Sequence, residues 1–377
     1  MDNGTRRRFL ELAGAAATAS IAGCSGQRLG EGPDSGPMPE QIGSGRSPFG
    51  NRSISGGTSM VTMPPLSGDL TVYSGRGEPL VGELVSFMEE RYDGLTLNVR
   101  YNSAAELVNQ LQTEGDQSPA DVFFSVNAGS LGAVKDQGRT VDLPREVLET
   151  VPSQFRDPDR MWVGTSGRAR SLSFNTEALS AGDVPEDVFA FPETDAFRDA
   201  IGCAPTYSSF QAFITAMRVL NGDDRTREWL NGMLDLGLDT SYSDELLVSQ
   251  AVADGELRAG FANHYYVLRV QAGRPDAPIS VAFTRNDAGA IFNVAGAATL
   301  DTADDVDLAA NFVRHLLSAE AQDYFARETF EYPLVPEVEP IGELPPIDEL
   351  APPENVDLTQ LSDIEGTVEL LRDVGAL

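Results

Sequence analysis

From Leu70 onward the apolar positions switch repeatedly between a period of two and a period near 3.6. Leu70-Thr-Val-Tyr73 is a short β-rich run ending in the turn-forming Ser74-Gly75-Arg76-Gly77. Leu80, Leu84, Phe87 and Met88 then share one helical face, Leu95 to Tyr101 alternates like a strand, and residues 104–111 return to the helical period. Asp121-Val-Phe-Phe124 reads as a buried strand, followed by a helix over 128–134. The second half predicts extended chain at 162–163 and 168–174 and helices near 209–220, 224–235 and 244–253. Strands follow at 257–262 and 291–300, then helices at 306–317 and 319–327. Strands alternating with helices of this length predict a largely parallel α/β sheet, and the stretch is long enough for two lobes. In open parallel sheets ligands sit beyond the carboxyl ends of the strands. That rule selects the Ser74–Gly77 turn, the loop after Phe124 and the Asn263–Tyr266 segment.

The first seventy residues follow neither period. Thr5-Arg6-Arg7-Arg8-Phe9-Leu10 precedes a small, apolar stretch from Leu12 to Gly23, too short to span a membrane. Paired arginines before Phe-Leu resemble a twin-arginine export signal. Ile21-Ala22-Gly23-Cys24 resembles a lipobox, in which Cys24 becomes a lipidated N-terminus anchored to the outer face of the cell membrane. Residues 1–24 are therefore expected to be an address. Residues 25–67, rich in Gly, Ser and Pro, are expected to be a flexible tether. Cys203 is left without a partner and is expected to be a small buried filler.

Charge narrows the partners. The chain carries 58 Asp and Glu against 27 Lys and Arg, a formal net charge of -31, which repels nucleic-acid phosphates. Lys135 is the single lysine. An acidic surface nearly free of lysine fits a halophile, because molar salt screens charge over about 3 Å and removes the self-repulsion.

Enzymatic constellations are missing. Only His264 and His315 are present, and there is no nucleophile elbow, HExxH, phosphate loop or strand-linked GxGxxG. Cysteine and histidine are too few for a zinc site, so the chain is expected not to be an enzyme. Tyr265-Tyr266, flanked by Asn263 and His264, allows two readings. The rings either fill a lobe interface or supply phenolate oxygens to a hard trivalent cation.

Several segments occur in one order: Leu70-Thr-Val-Tyr-Ser-Gly-Arg76, Ser118-Pro-Ala-Asp-Val-Phe-Phe124, Ser166-Gly-Arg-Ala-Arg170, Pro205-Thr-Tyr-Ser-Ser-Phe210, Asn263-His-Tyr-Tyr266, Asp287-Ala-Gly289 and Glu331-Tyr-Pro-Leu334. Together they resemble the ferric-iron-binding proteins of ABC importers, here of a haloarchaeal lipoprotein type, over residues 69–377. The resemblance implies a type II periplasmic-binding-protein fold with two α/β lobes, crossover strands as hinge and the ligand in the cleft. It places lobe 1 at 69–168 plus about 295–345, and lobe 2 at 169–294 plus about 346–377. It implies Fe(III) held by Tyr207, Tyr265 and Tyr266. A carbonate-type anion would sit on Arg76, Arg168, Ser208 and Ser209, with Asn263 and His264 behind. It also implies a monomeric receptor that delivers its cargo to a permease and ATPase.

Three positions depart from the pattern. Gly77 and Val126 stand where some relatives have a histidine and a glutamate ligand, which points to the tyrosine-plus-carbonate version. Glu245 stands where an asparagine contacts the anion, and is expected to be a solvated acid at a helix start. The same fold could instead serve an organic solute such as thiamine, a polyamine or a phosphonate, whose cations aromatic pairs can enclose.

Overall fold

The α/β alternation is realised from β1 (Gly68–Ser74) through α1 (Glu78–Arg91), β2 (Leu95–Tyr101), α2 (Ala104–Glu114), β3 (Val122–Ser125), α3 (Ala128–Asp136) and the single turn α4 (Arg145–Leu148). The computed structural model describes residues 39–377 apart from Asn355 and Asp363. The twin-arginine segment and Cys24 lie outside the described residues. α2 shows how local sequence sets a boundary. Ser103 accepts from the Glu106 amide at its start, and Leu107, Val108 and Leu111 turn one face into the core. β1 lies between β2 and β3 and is parallel to both.

The next strand connects two halves. β4 (Val163–Asn175) runs thirteen residues. From Val163 to Ala169 it pairs antiparallel with β9 (Phe292–Thr299), and from Arg170 to Phe174 with β7 (Ala259–Asn263). Between them lie β5 (Ile201–Gly202), α5 (Ser208–Asn221), α6 (Asp223–Asp235), β6 (Leu238–Asp239) and α7 (Glu245–Ala253). After β7 come α8 (His264–Gly273) and β8 (Ile279–Ala282), which pairs with the end of β4. β9 then returns to lie antiparallel to β3. The chain closes with α9 (Val306–His315), α10 (Ala319–Tyr324) running into a π turn at Phe325–Thr329, β10 (Tyr332–Pro333), a 3-10 turn at Leu358–Ser362 and α11 (Glu365–Asp373). The strand order is β2-β1-β3-β9-β4-β7-β5-β6, so β4, paired with β9 on one side and β7 on the other, carries the sheet from the first half into the second, and the chain returns to the first half through β9.

Each half has its own apolar core. Leu70, Val72, Phe123, Val294 and Phe312 belong to the first. Phe174, Phe210, Phe213, Trp229 and Phe261 form an aromatic centre for the second. Gly167 on β4 has a steric reason: a Cβ there would stand 2.1 Å from the Phe292 ring that covers the strand.

The expected tether ends earlier than residue 67. Ile42, Met60 and Leu66 are buried in the first core. Glu320 accepts from Ser59 Oγ and the Met60 amide, while Arg327 Nη2 donates to the Ile42 carbonyl at 2.6 Å. Residues 39–67 are thus a strap held by single apolar anchors and buried charges. Such a segment needs no periodicity, which is why composition reads it as a spacer.

Candidate functional site

β5 and β7 run parallel, with Ile201 opposite Ala259, so their carboxyl ends open on the same side. β7 ends at Asn263 and α8 starts at once with His264, placing Tyr265 and Tyr266 in the first helical turn. Tyr207 is the N-cap residue of α5, on the connection leaving β5. The topology therefore brings together three phenols separated by up to 59 positions. The hydroxyls of Tyr207 and Tyr266 are hydrogen-bonded to one another. The Tyr265 and Tyr266 rings are centred 4.4 Å apart. Asn263 Nδ2 donates to the Tyr265 hydroxyl at 3.2 Å. Burial pushes the Tyr265 phenol up, opposed by the positive charge of Arg168. Burial, then the neighbouring Tyr265, pushes the Tyr266 phenol up as well. Tyr265 and Tyr266 therefore hold their protons in this state, and only a strongly attracting cation would displace them. Among the described residues no group of three or more His, Cys, Asp or Glu could hold a metal, which leaves the phenols as the concentrated oxygen donors.

A cavity of about 200 Å³ adjoins the phenols, with Arg168, Arg170, Ser208, Ser209 and Asn263 in its wall. Arg168 and Arg170 are two residues apart on β4, so both point to the same side. Arg168 Nη2 donates to the Val126 carbonyl, while its Nε has no hydrogen-bond partner. Arg170 Nη1 pairs with Glu245, while Nε and Nη2 have none. The buried Ser209 hydroxyl is also unpartnered, at the N-terminus of the fourteen-residue α5. Several buried donors aimed at one space, beside a helix N-terminus, favour an anion.

Two expectations change and one is placed. Arg76 does not join this group. It is 1% exposed and donates to Ser166 Oγ at 2.7 Å and to Glu331 at 2.6 Å. Burial alone would raise the Glu331 carboxyl, but the charges of Arg76 and Arg168 and the Ser166 hydrogen bond hold it below the usual range. Glu245 is not solvated: it is fully buried, paired with Arg170, and accepts from the Asn263 amide at 2.9 Å. The acid that looked repulsive to an anion thus neutralises an unforeseen arginine and fixes the residue before the tyrosines. His264 lies behind the site, with Nε2 donating to the Phe330 carbonyl at 2.9 Å and Nδ1 accepting from the Ala169 amide. Burial lowers it to about 4, so it is a neutral support.

Sequence reasoning missed Arg170, although it shares a segment and a strand face with Arg168. It also missed Asn127 and Asn293, which line the cavity, and the closing wall of Leu358, Leu361 and Ile364.

Two α/β lobes joined by crossover strands, with a donor-lined cleft at strand ends, define a small-ligand receptor. Residues 117–361 match the family described as bacterial extracellular solute-binding protein, and the chain belongs to that family. It is an extracytoplasmic receptor of the type II fold, not an enzyme. The major ferric iron-binding protein of Neisseria meningitidis is 30% identical over 325 residues, covering 84% of this chain and 96% of the relative. Iron uptake protein A2 of Synechocystis is 31% identical over 254 residues, covering 64% and 72%. Among solved structures, iron-bound HitA of Pseudomonas aeruginosa matches with a TM-score of 0.69 at 24% identity, over 81% of this chain and 99% of that one. The Trichodesmium protein IdiA, in complex with iron and citrate, matches at 0.71 and 23% identity over 82% and 100%.

Proposed function

We propose that this receptor captures Fe(III) outside the membrane and delivers it to an ABC permease and its ATPase. The observation that carries the reading is the meeting of Tyr207, Tyr265 and Tyr266 at the ends of β5 and β7, in a chain whose relatives are named for ferric iron. The three phenols, deprotonated as iron enters, supply the metal ligands, and Asn263 orients Tyr265. Fe(III) and three phenolates sum to zero. Arg76 is matched by Glu331 and Arg170 by Glu245, so Arg168 is left as one positive charge. A closed, poorly hydrated cleft penalises that imbalance. An accompanying anion on Arg168, Ser208 and Ser209 restores neutrality with a single negative charge, which hydrogencarbonate meets more closely than carbonate.

The remaining reading follows from sequence. The twin-arginine signal exports the chain, lipidated Cys24 holds it at the outer face of the membrane, and residues 25–38 serve as the tether. The receptor works as a monomer in concentrated salt. Its two lobes divide as the resemblance implies, with the strap from residue 39 added to lobe 1.

The test is a visible absorption titration of the iron-free protein with ferric nitrilotriacetate in high salt, with and without bicarbonate. A tyrosinate-to-iron band saturating at one iron per chain is expected, and Y265F/Y266F should abolish it. An unchanged iron affinity in that double variant overturns the reading. A wild-type protein that stays folded yet gives no band points instead to an organic solute.

A further inference from the structure

The cavity beside the tyrosines is larger and less polar than a small inorganic anion requires. About 200 Å³ exceeds the roughly 150 Å³ void that accepts a six-carbon ring, whereas carbonate has four heavy atoms. Its lining combines two chemistries. Part of it comes from Arg168, Arg170 and Ser209, whose Nε, Nε and Nη2, and Oγ respectively have no partner. Another part comes from Ala212, Ile291, Leu358, Leu361 and Ile364. The three phenols lie outside its lining and meet it through Asn263 and Ser208.

Arg170 makes the polar part of the lining a built site. Only 2% of the residue is exposed, and Glu245 takes one of its nitrogens. Its guanidinium carbon lies 5.2 to 5.9 Å from the ring centres of Phe210, Phe213 and Phe261. Those rings hold the fork without hydrogen-bonding it, so its two free N–H directions await an acceptor. Much of the apolar part depends on the C-terminal segment. The 3-10 turn Leu358–Ser362 lies close against α3, where a Cβ on Gly132 would stand 2.7 Å from the Thr359 side chain. This segment therefore brings Leu358, Leu361 and Ile364 into the same cavity wall as the arginines.

Resting on the iron reading above, we propose that the accompanying anion is an organic monocarboxylate with a short branched aliphatic tail, such as a 2-hydroxy acid. Its carboxylate sits on Arg168, Arg170 and Ser209, its hydroxyl faces the tyrosine cluster, and its tail fills the space between Ala212, Ile291 and Leu361. One negative charge matches the charge left by Arg168. The tail replaces water that an inorganic anion would leave against an apolar wall.

The experiment compares two acids with the same chelating group, 2-hydroxyisocaproate and glycolate, by calorimetric titration into the iron-free protein in high salt. Each buried CH2 is worth about a factor of four, so the branched acid is expected to bind at least about 30-fold more tightly. A212L, which takes up cavity space from α5, should reduce that ratio at least tenfold while near-ultraviolet circular dichroism verifies its fold. R170K, which removes the planar fork, should weaken both acids alike. A ratio within threefold of unity in the wild type overturns the proposal, as does a ratio that A212L leaves unchanged. The iron band in bicarbonate is recorded on the same preparation. A normal band with no acid preference removes the compartment and keeps the iron reading. Acid preference without a band removes the iron reading and keeps the compartment.

Discussion

Replacing Glu245 by Gln isolates a charge with little change in shape. Glu245 and Arg170 have side-chain exposures of 0% and 1%, so water screens neither. Removing one member of a buried pair costs about 3–5 kcal/mol, because the other charge is left uncompensated. Two features reduce the loss. The Gln carbonyl can still accept from the Asn263 amide, and the three phenylalanine rings around Arg170 offer a weak cation–π environment. The expected loss is about 3 kcal/mol, read as a shift in the urea midpoint at constant m in molar salt. Salt should not mask it, since screening acts on exposed charge. E245Q/R170M removes both charges and should recover at least half of the loss, because a methionine packs well against the rings. Bicarbonate should stabilise E245Q more than the wild type, since the unpaired arginine gains an acceptor. A loss below about 1 kcal/mol, or a double variant that loses the sum of both singles, would refute a buried, coupled pair.

Further outcomes follow from the same geometry. His264 and His315 are both lowered to about 4 by burial, against about 6.5 unfolded. Between these values the unfolded chain binds more protons, so stability should fall as pH drops from about 6.5 to about 4, by up to about 3 kcal/mol per histidine. Urea midpoints against pH measure this slope, and H315Q should remove about half of it. A chain beginning at residue 68 should lose several kcal/mol relative to one beginning at 39, as it lacks buried Ile42, Met60 and Leu66, strands the Glu320 carboxylate and takes the Ile42 acceptor from Arg327. Equal thermal midpoints for the two would show that the strap adds nothing. In iron titrations R168M should raise the bicarbonate concentration needed for half of the band at least tenfold, whereas a structural role alone would lower stability without moving that midpoint.

Legibility in the sequence followed element length. β1, α1, β2 and α2 carry a full period and match its expectation to within a few residues, whereas β5, β6 and β10 are two residues each and offer no period to detect. The site followed the same logic. Tyr265 and Tyr266 announce themselves as neighbours after a strand, and Tyr207 sits in a segment with a recognisable order. The partner of Arg76 is 255 positions away, and nothing local to Arg76 or Glu331 tells that they pair. Glu245 misled because a helix-start acid is ordinarily wet. Its burial depends on Arg170, which arrives from β4 seventy-five positions earlier. Arg170 itself was legible by alternation: a strand that turns Arg168 toward the cleft must turn Arg170 the same way.

The placement of those two arginines links ligand to motion. β4 changes partners between them: Arg168 faces Asn293 on β9, and Arg170 faces Asn263 on β7. Arg168 is tied by Nη2 to the Val126 carbonyl after β3, in the first lobe. Arg170 is tied to Glu245 on α7, in the second. An anion spanning both guanidinium groups and the α5 N-terminus therefore touches each lobe across the strand that joins them. A conformation that splays the lobes loses some of these contacts, and the ligand's differential affinity is what favours closure. The phenols reach both halves as well: Tyr207 packs beside Ala204 and Val248 in the second, whereas Tyr265 packs against the first core, which α8 enters with Leu268. On the proposed reading iron and its anion then bind together across both lobes, and each adds to the preference for the closed state.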